Sequence, residues 1–212
     1  ICAQQFDPTP EDQKSAQMVC QLVHRFHISQ KKIDDGISKK TLERYLDSVD
    51  PLKLYFIERD IQVFRKVEKE LDDQLLRGDV KFAFTVHQAY LERVRRQVKV
   101  ASRYIQADHD FTLDENRIAN PDHLEWCKSA KELDERWRKR IKAELLAKKL
   151  DDTKMAEARE QLAKRYTNVK RFAEQTERSE VLQRYLSSMT HSFDPHSSYM
   201  SPETREDFDI SM

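Results

Sequence analysis

The sequence predicts an all-α protein of several long helices with no sheet. Three observations carry that expectation. Only two of the 212 residues are glycine, Gly36 and Gly78, and a sheet protein of this length needs more for its turns. Charged residues make up 36% of the chain and apolar residues 38%, which suits thin helical layers with a narrow apolar stripe and a wide charged face. Apolar residues also recur at three- and four-residue spacing along most of the chain.

The first helix is expected to start at "TPEDQ". Thr9 caps it, Pro10 takes the first helical position, and Glu11 and Asp12 suit the positive end. Ala16, Val19, Cys20, Val23 and Phe26 mark its apolar face. After "DDG" a second helix is expected from an N-cap at Ser38 to the "DSVDP" break, where Asp50 precedes a proline and is pushed out of the helical region. "LKLYF" reads as a short extended lead-in. A third helix runs from about Glu58 through Ile61, Phe64, Val67, Leu71 and Leu75 to Gly78, with Asp79 capping the next. That next helix carries Ala83, Val86, Tyr90, Val94, Val98, Ala101 and Ile105, and the short joint at Gly78 implies an antiparallel hairpin.

"ADHDFTLDENRIANPDH" is read as a solvated polar connector. Further helices are expected over about Ala130 to Leu150, with Leu133, Trp137, Ile141 and Leu145 inward, then from Met155 through Ala173, and from Val181 to Phe193. A fresh start follows at Ser201 and Pro202. The organisation expected is a helical domain over 1–193 and a knuckle with a short helix over 194–212.

Composition excludes several functions. Two glycines build neither a phosphate loop nor a nucleophile elbow. Lys plus Arg equals Asp plus Glu, so the basic excess of a nucleic-acid binder is missing. No apolar run is long enough to span a membrane. The three cysteines form no C-x-x-C pair and point to no disulfide framework. The chain opens on Ile1 and closes on "FDISM", and both ends read as cuts within a longer precursor.

Candidate chemistry is sparse. Cys20, His24 and His27 share one helical face at metal-ligand spacing, but Cys20 is better explained as a core residue, and no metal or cofactor is expected. Asp108, Asp110 and Thr112 begin like a calcium loop, yet Leu113 stands where that loop needs Gly, and Ala119 where it needs Glu. Mixed-sign runs such as "ERWRKRIKAE" read as wet helix faces with weak ion pairs. "FDPHSSYMSP" holds Asp194, His196, Ser197 and Ser198, the residue types of a hydrolase. Neighbours in sequence rarely point at one another, however, and Pro195 and Pro202 remove donors where an oxyanion hole would form. No residue is therefore expected to be catalytic. Asp194, Pro195, His196, Tyr199 and Pro202 are read as a structural hinge, with Tyr199 and Met200 anchoring it by apolar packing.

"FDPHSSYMSPETREDF", "LDSVDPLKLYFIERDIQVF" and "LLRGDVKFAF", in that order and spacing, resemble the C-terminal processing peptidases, in particular their tail-specific protease branch. The likeness runs from about Asp12 to Met212. It implies that the chain leads into a PDZ domain and a core with a Ser-Lys dyad, in an exported, periplasmic serine endopeptidase. The implied role of this segment is to scaffold the protease and help admit unfolded C-terminal tails or an adaptor protein. No position here matches the family's nucleophile or base. The alternative is a free-standing helical interaction module without protease activity.

Overall fold

The computed structural model describes residues 7–118, 120, 123–202 and 204–205. Among them the order is α1 (Pro10–Phe26), α2 (Asp35–Val49), α3 (Glu58–Phe64), a 3-10 turn (Arg65–Val67), α4 (Leu71–Leu76), α5 (Lys81–Gln106), α6 (Ala130–Leu150), α7 (Met155–Gln175) and α8 (Arg178–Thr190). No strand occurs among the described residues; one isolated parallel bridge pairs Ile57 with Cys127. The all-α expectation holds. Among the described residues no helix is long and apolar enough to cross a membrane. The chain forms two compact units. One comprises residues 1–49, 62–89 and 176–212, and the other 50–61 and 90–175.

In the first unit α2 packs on α8 and α4, and α1 packs on α4 and α8. Thr9 and Asp12 form a reciprocal capping box at α1, with Pro10 as its first residue. Tyr45 and Tyr185 are fully buried edge to face, ring centroids 5.1 Å apart, and Tyr45 Oη donates to the Ala83 carbonyl at 2.9 Å. Aromatic pairs of this geometry add to simple area burial. Burial pushes the Cys20 thiol up to about 12, the state of an inert core cysteine. Phe26, read as part of the buried face, is instead 76% exposed; it is the last residue of α1, beyond Ala16 and Cys20, the helix's buried positions.

Three expectations are corrected here. Ser38 does not cap α2: the Asp34 carboxylate does, accepting from Ile37 N at 3.0 Å. Ser38 is buried one turn inside, where its Oγ donates to the Glu68 carbonyl and accepts from Leu71 N at 3.1 Å. It thus caps a different helix, α4. The expected third helix is correspondingly broken, into α3, the 3-10 turn and α4, although its apolar period never falters. The last helix begins earlier than expected, at Arg178, because Glu177 and Glu180 form a capping box, and it ends at Thr190.

Gly78 ends α4 with φ at +78°. Gly78 N donates to Leu75 O at 2.9 Å and Asp79 N to Gln74 O at 2.7 Å, the paired bonds of a Schellman stop. Asp79 then caps α5 through Lys81 N at 3.1 Å. The joint follows a six-residue helix, so it is not the turn of a long hairpin.

In the second unit the core gathers around Trp137, fully buried as expected. Its Nε1 donates to Leu54 O at 2.7 Å, and it packs edge to face on Tyr166 with centroids 5.3 Å apart. α6 packs on α7, and Arg96 forks onto Asp134 at 2.8 and 3.1 Å to tie α5 to α6. Asp50, 1% exposed, organises the segment before α3: Oδ1 accepts from Leu54 N, and Oδ2 from Tyr55 N and Phe56 N, at 2.8 to 3.0 Å. Burial pushes its carboxyl upward against the pull of those three donors.

The connector is also better tied than its polarity suggests. Glu115 accepts from both Arg138 and Lys142, which hold its carboxyl down at about 2. Lys142 is buried. The α6 charge run is therefore a partly buried network and not a wet face.

Two substitutions test these joints. Asp50→Asn leaves one carboxamide oxygen where three buried N–H groups need two, and is expected to destabilise by about 2–4 kcal/mol. A urea midpoint that does not move would show that the segment holds without its acceptor. Gly78→Val meets both the positive φ and the Gln13 carbonyl oxygen, 2.7 Å from the new Cβ. Its cost is expected to exceed about 2 kcal/mol, and thermal unfolding at wild-type temperature would contradict it.

Candidate functional site

The hydrolase-like residues of "FDPHSSYMSP" lie in the first unit, just past α8. The chain leaves that helix through Phe193, which is buried, and Phe193 N and Asp194 N both donate to Thr190 O. Asp194 then makes a local turn: its Oδ1 accepts from His196 N at 2.7 Å and its carbonyl from Ser197 N at 3.1 Å. This is the turn chemistry of an Asp before proline. Pro195, His196 and Pro202 are exposed. The carboxylate bonds a backbone amide, and a triad's orienting acid bonds an imidazole instead.

Ser197 does meet a histidine, but from far away in sequence. His27 Nε2 lies 3.1 Å from Ser197 Oγ. The direction of that bond follows from the other ring nitrogen. His27 Nδ1 accepts from Ser29 N at 3.1 Å and lies 2.8 Å from Ser29 Oγ. An Nδ1 that accepts a backbone N–H carries the lone pair, so in the neutral ring Nε2 carries the proton and donates to Ser197. A general base must present a lone pair to the serine hydroxyl. Here the lone pair faces away, toward Ser29. His27 also packs on Phe193, ring centroids 5.4 Å apart.

The rest of the stretch is held by α8. Ser187 Oγ donates to Tyr199 O at 2.9 Å and accepts from Tyr199 N at 3.2 Å, which clamps both backbone groups of one residue. Gln183 Oε1 accepts from Ser201 N at 2.7 Å. Ser201 is buried and caps the turn that follows, with Thr204 N on its Oγ at 3.2 Å and Arg205 N on its carbonyl at 3.0 Å. Lys31 Nζ donates to Phe193 O at 3.1 Å. Met200 is 48% exposed, so backbone bonds, not apolar packing by Met200, hold the stretch. Sequence reasoning grouped His27 with Cys20 and His24 instead of with Ser197, and missed Lys31, Gln183 and Ser187. Gln183 and Ser187 lie four residues apart on one face of α8, and that face was the one available signal.

The other candidates do not assemble. Cys20 is buried, His24 is exposed, and His27 lies past the end of α1, turned to Ser29 and Ser197. Asp110 accepts from Thr112 N and Oγ1 at 2.9 and 2.6 Å, a local turn, and Asp108 pairs with Arg159. Ala119 lies outside the described residues. Among the described residues no group of three or more His, Cys, Asp or Glu is placed to hold a metal ion.

The clamp on Tyr199 yields a prediction. Ser187→Ala removes the partner of two backbone groups and is expected to destabilise by about 1–3 kcal/mol, whereas Met200→Ala should change stability by less than about 0.5 kcal/mol. Chemical denaturation of the two variants decides it; the reverse order would restore apolar packing as the anchor.

The sequence has counterparts among known proteins. The family model described as tail specific protease N-terminal domain matches residues 18–203. Over 193 residues the chain is 29% identical to the tail-specific protease of Haemophilus influenzae (strain ATCC 51907 / DSM 11121 / KW20 / Rd), covering 88% of this chain and 27% of that protein. The chain therefore spans about a quarter of that relative's length. A match over residues 18–203, most of the chain and part of both units, places the chain in the family of tail-specific protease N-terminal domains.

Proposed function

We propose that this chain is the non-catalytic helical domain of a tail-specific serine endopeptidase. It scaffolds the protease and helps unfolded C-terminal tails, or an adaptor protein, reach it. The chemistry resides in the rest of the longer polypeptide, for which the family resemblance implies a PDZ domain and a Ser-Lys dyad. The same resemblance, alone, supports an exported, periplasmic setting. The observation that carries the non-catalytic reading is the direction of the His27–Ser197 hydrogen bond: the imidazole bonded to Ser197 turns its N–H toward that hydroxyl and its lone pair toward Ser29. His27 and Ser197 then act together as a structural tie between the end of α1 and the stretch after α8.

The reading frame beyond Met212 is the first check, since a free-standing interaction module would stop there. In the longer protein, Ser197→Ala is expected to leave cleavage of an unfolded substrate within about twofold of wild type. A loss on the order of a millionfold, the scale of a removed nucleophile, would put the chemistry at Ser197 and end this reading.

A further inference from the structure

An apolar groove of about 610 Å³ opens in the first unit. One wall is the end of α1, with Leu22, Val23 and Phe26, and the other is the stretch after α8, with Ser198, Tyr199 and Met200. Phe26 is 76% exposed and Leu22 51%. In the second wall, residues 197–201 follow neither helix nor turn. Tyr199 directs both its N–H and its C=O to Ser187 Oγ of α8, and two residues on Ser201 N donates to Gln183 Oε1 of the same helix. That period of two is the signature of an extended strand, whose successive residues present their polar groups to opposite edges. α8 thus covers one edge. The other edge belongs to Ser198 and Met200, both exposed, and among the described residues neither has a backbone hydrogen-bond partner.

We infer that this groove binds an internal, extended segment of an unfolded polypeptide, with apolar residues at alternate positions, by adding it as a strand beside residues 198–200. The inference rests on the proposed role in receiving unfolded chains and names what the domain holds. Three observations select that occupant. First, Ser198 and Met200 each offer one backbone donor and one acceptor; an extended main chain satisfies them, and a helix, whose backbone is bonded to itself, does not. Second, Leu22, Val23 and Phe26 supply the apolar surface that alternate side chains of an added strand require. Third, among the described residues that line the groove there is no lysine or arginine, so no side-chain cation of these two types is placed to hold a terminal carboxylate, and the segment is internal. A folded partner, a second copy included, needs an interface of roughly 1,200–2,000 Å², of which so short an edge is a small part. Ser187, Gln183 and His27 already fix the strand wall, so binding orders the incoming segment alone.

The test uses the longer protein and a synthetic peptide of alternating valine and threonine, flanked by lysines for solubility. Both ends are blocked, by acetyl and amide, so no terminal carboxylate takes part. Benzoylphenylalanine in place of one central valine is the photo-crosslinker, and crosslinked sites are mapped by mass spectrometry. The expected result is a crosslink to residues 22–26 or 198–200. Leu22→Glu, at an exposed position where circular dichroism verifies folding, is expected to remove it. N-methylation of one alternate set of peptide amides is expected to lower the yield about tenfold, the worth of about two main-chain bonds, and methylation of the other set to leave it within about twofold. No crosslink in the groove, which is also what a second copy seated there would give, overturns the inference. So does a crosslink that Leu22→Glu leaves intact, or one that the two methylated sets affect equally. Each of these leaves the proposed function standing. That reading fails separately, on a reading frame that stops at Met212 or on loss of cleavage in Ser197→Ala.

Discussion

A backbone N–H freed at a helix break must find an acceptor, and in this chain side-chain oxygens supply it. Asp50 is the deepest case. One buried carboxylate takes three consecutive amides, and the segment it holds delivers Phe56 to the core and the Leu54 carbonyl to Trp137. The same solution recurs at Thr9, Asp34, Ser38, Asp79, Ser129 and Ser201. A chain with two glycines has few other ways to turn. Lys53, inside the Asp50 segment, even takes a positive φ of 48°, a strain of about 1–2 kcal/mol that the surrounding bonds sustain.

This constraint also explains the stretch that most resembles an active site. Ser, Asp and His are the residues of hydrolysis because they place donors and acceptors at short range, and helix capping asks for the same property. In the stretch after α8 Asp194 makes a turn, Ser201 caps the next, and Ser197 accepts a hydrogen bond from His27. A region that resembles a catalytic site by composition is thus a hydrogen-bonded structural stretch packed along α8.

The fold was legible in the sequence wherever it depends on local pattern. The bounds of α6, the Thr9 cap, the Gly78 stop and the burial of Trp137 all follow from periodicity and cap chemistry within a few residues. What escaped was long-range. Ser38 looks like an N-cap and serves as one, but for a helix 33 residues on. Its bond lets the apolar period run unbroken through a chain that is itself broken, so periodicity could not reveal α4 as separate. Glu115 reads as part of a wet connector until α6 brings Arg138 and Lys142 to it. In the candidate site the Asp194 turn was legible, while the His27–Ser197 tie, 170 residues apart, was not.

The central claim is that this chain carries structure and no peptide-bond chemistry of its own. The most direct measurement is hydrolysis of an unfolded protein substrate by the purified 212-residue chain, with its helicity confirmed by circular dichroism in the same buffer. The account predicts a folded helical protein and no cleavage above the rate in buffer alone. Cleavage that survives purification to homogeneity and disappears in Ser197→Ala or His27→Ala would contradict it, because the serine would then be using the imidazole as a base.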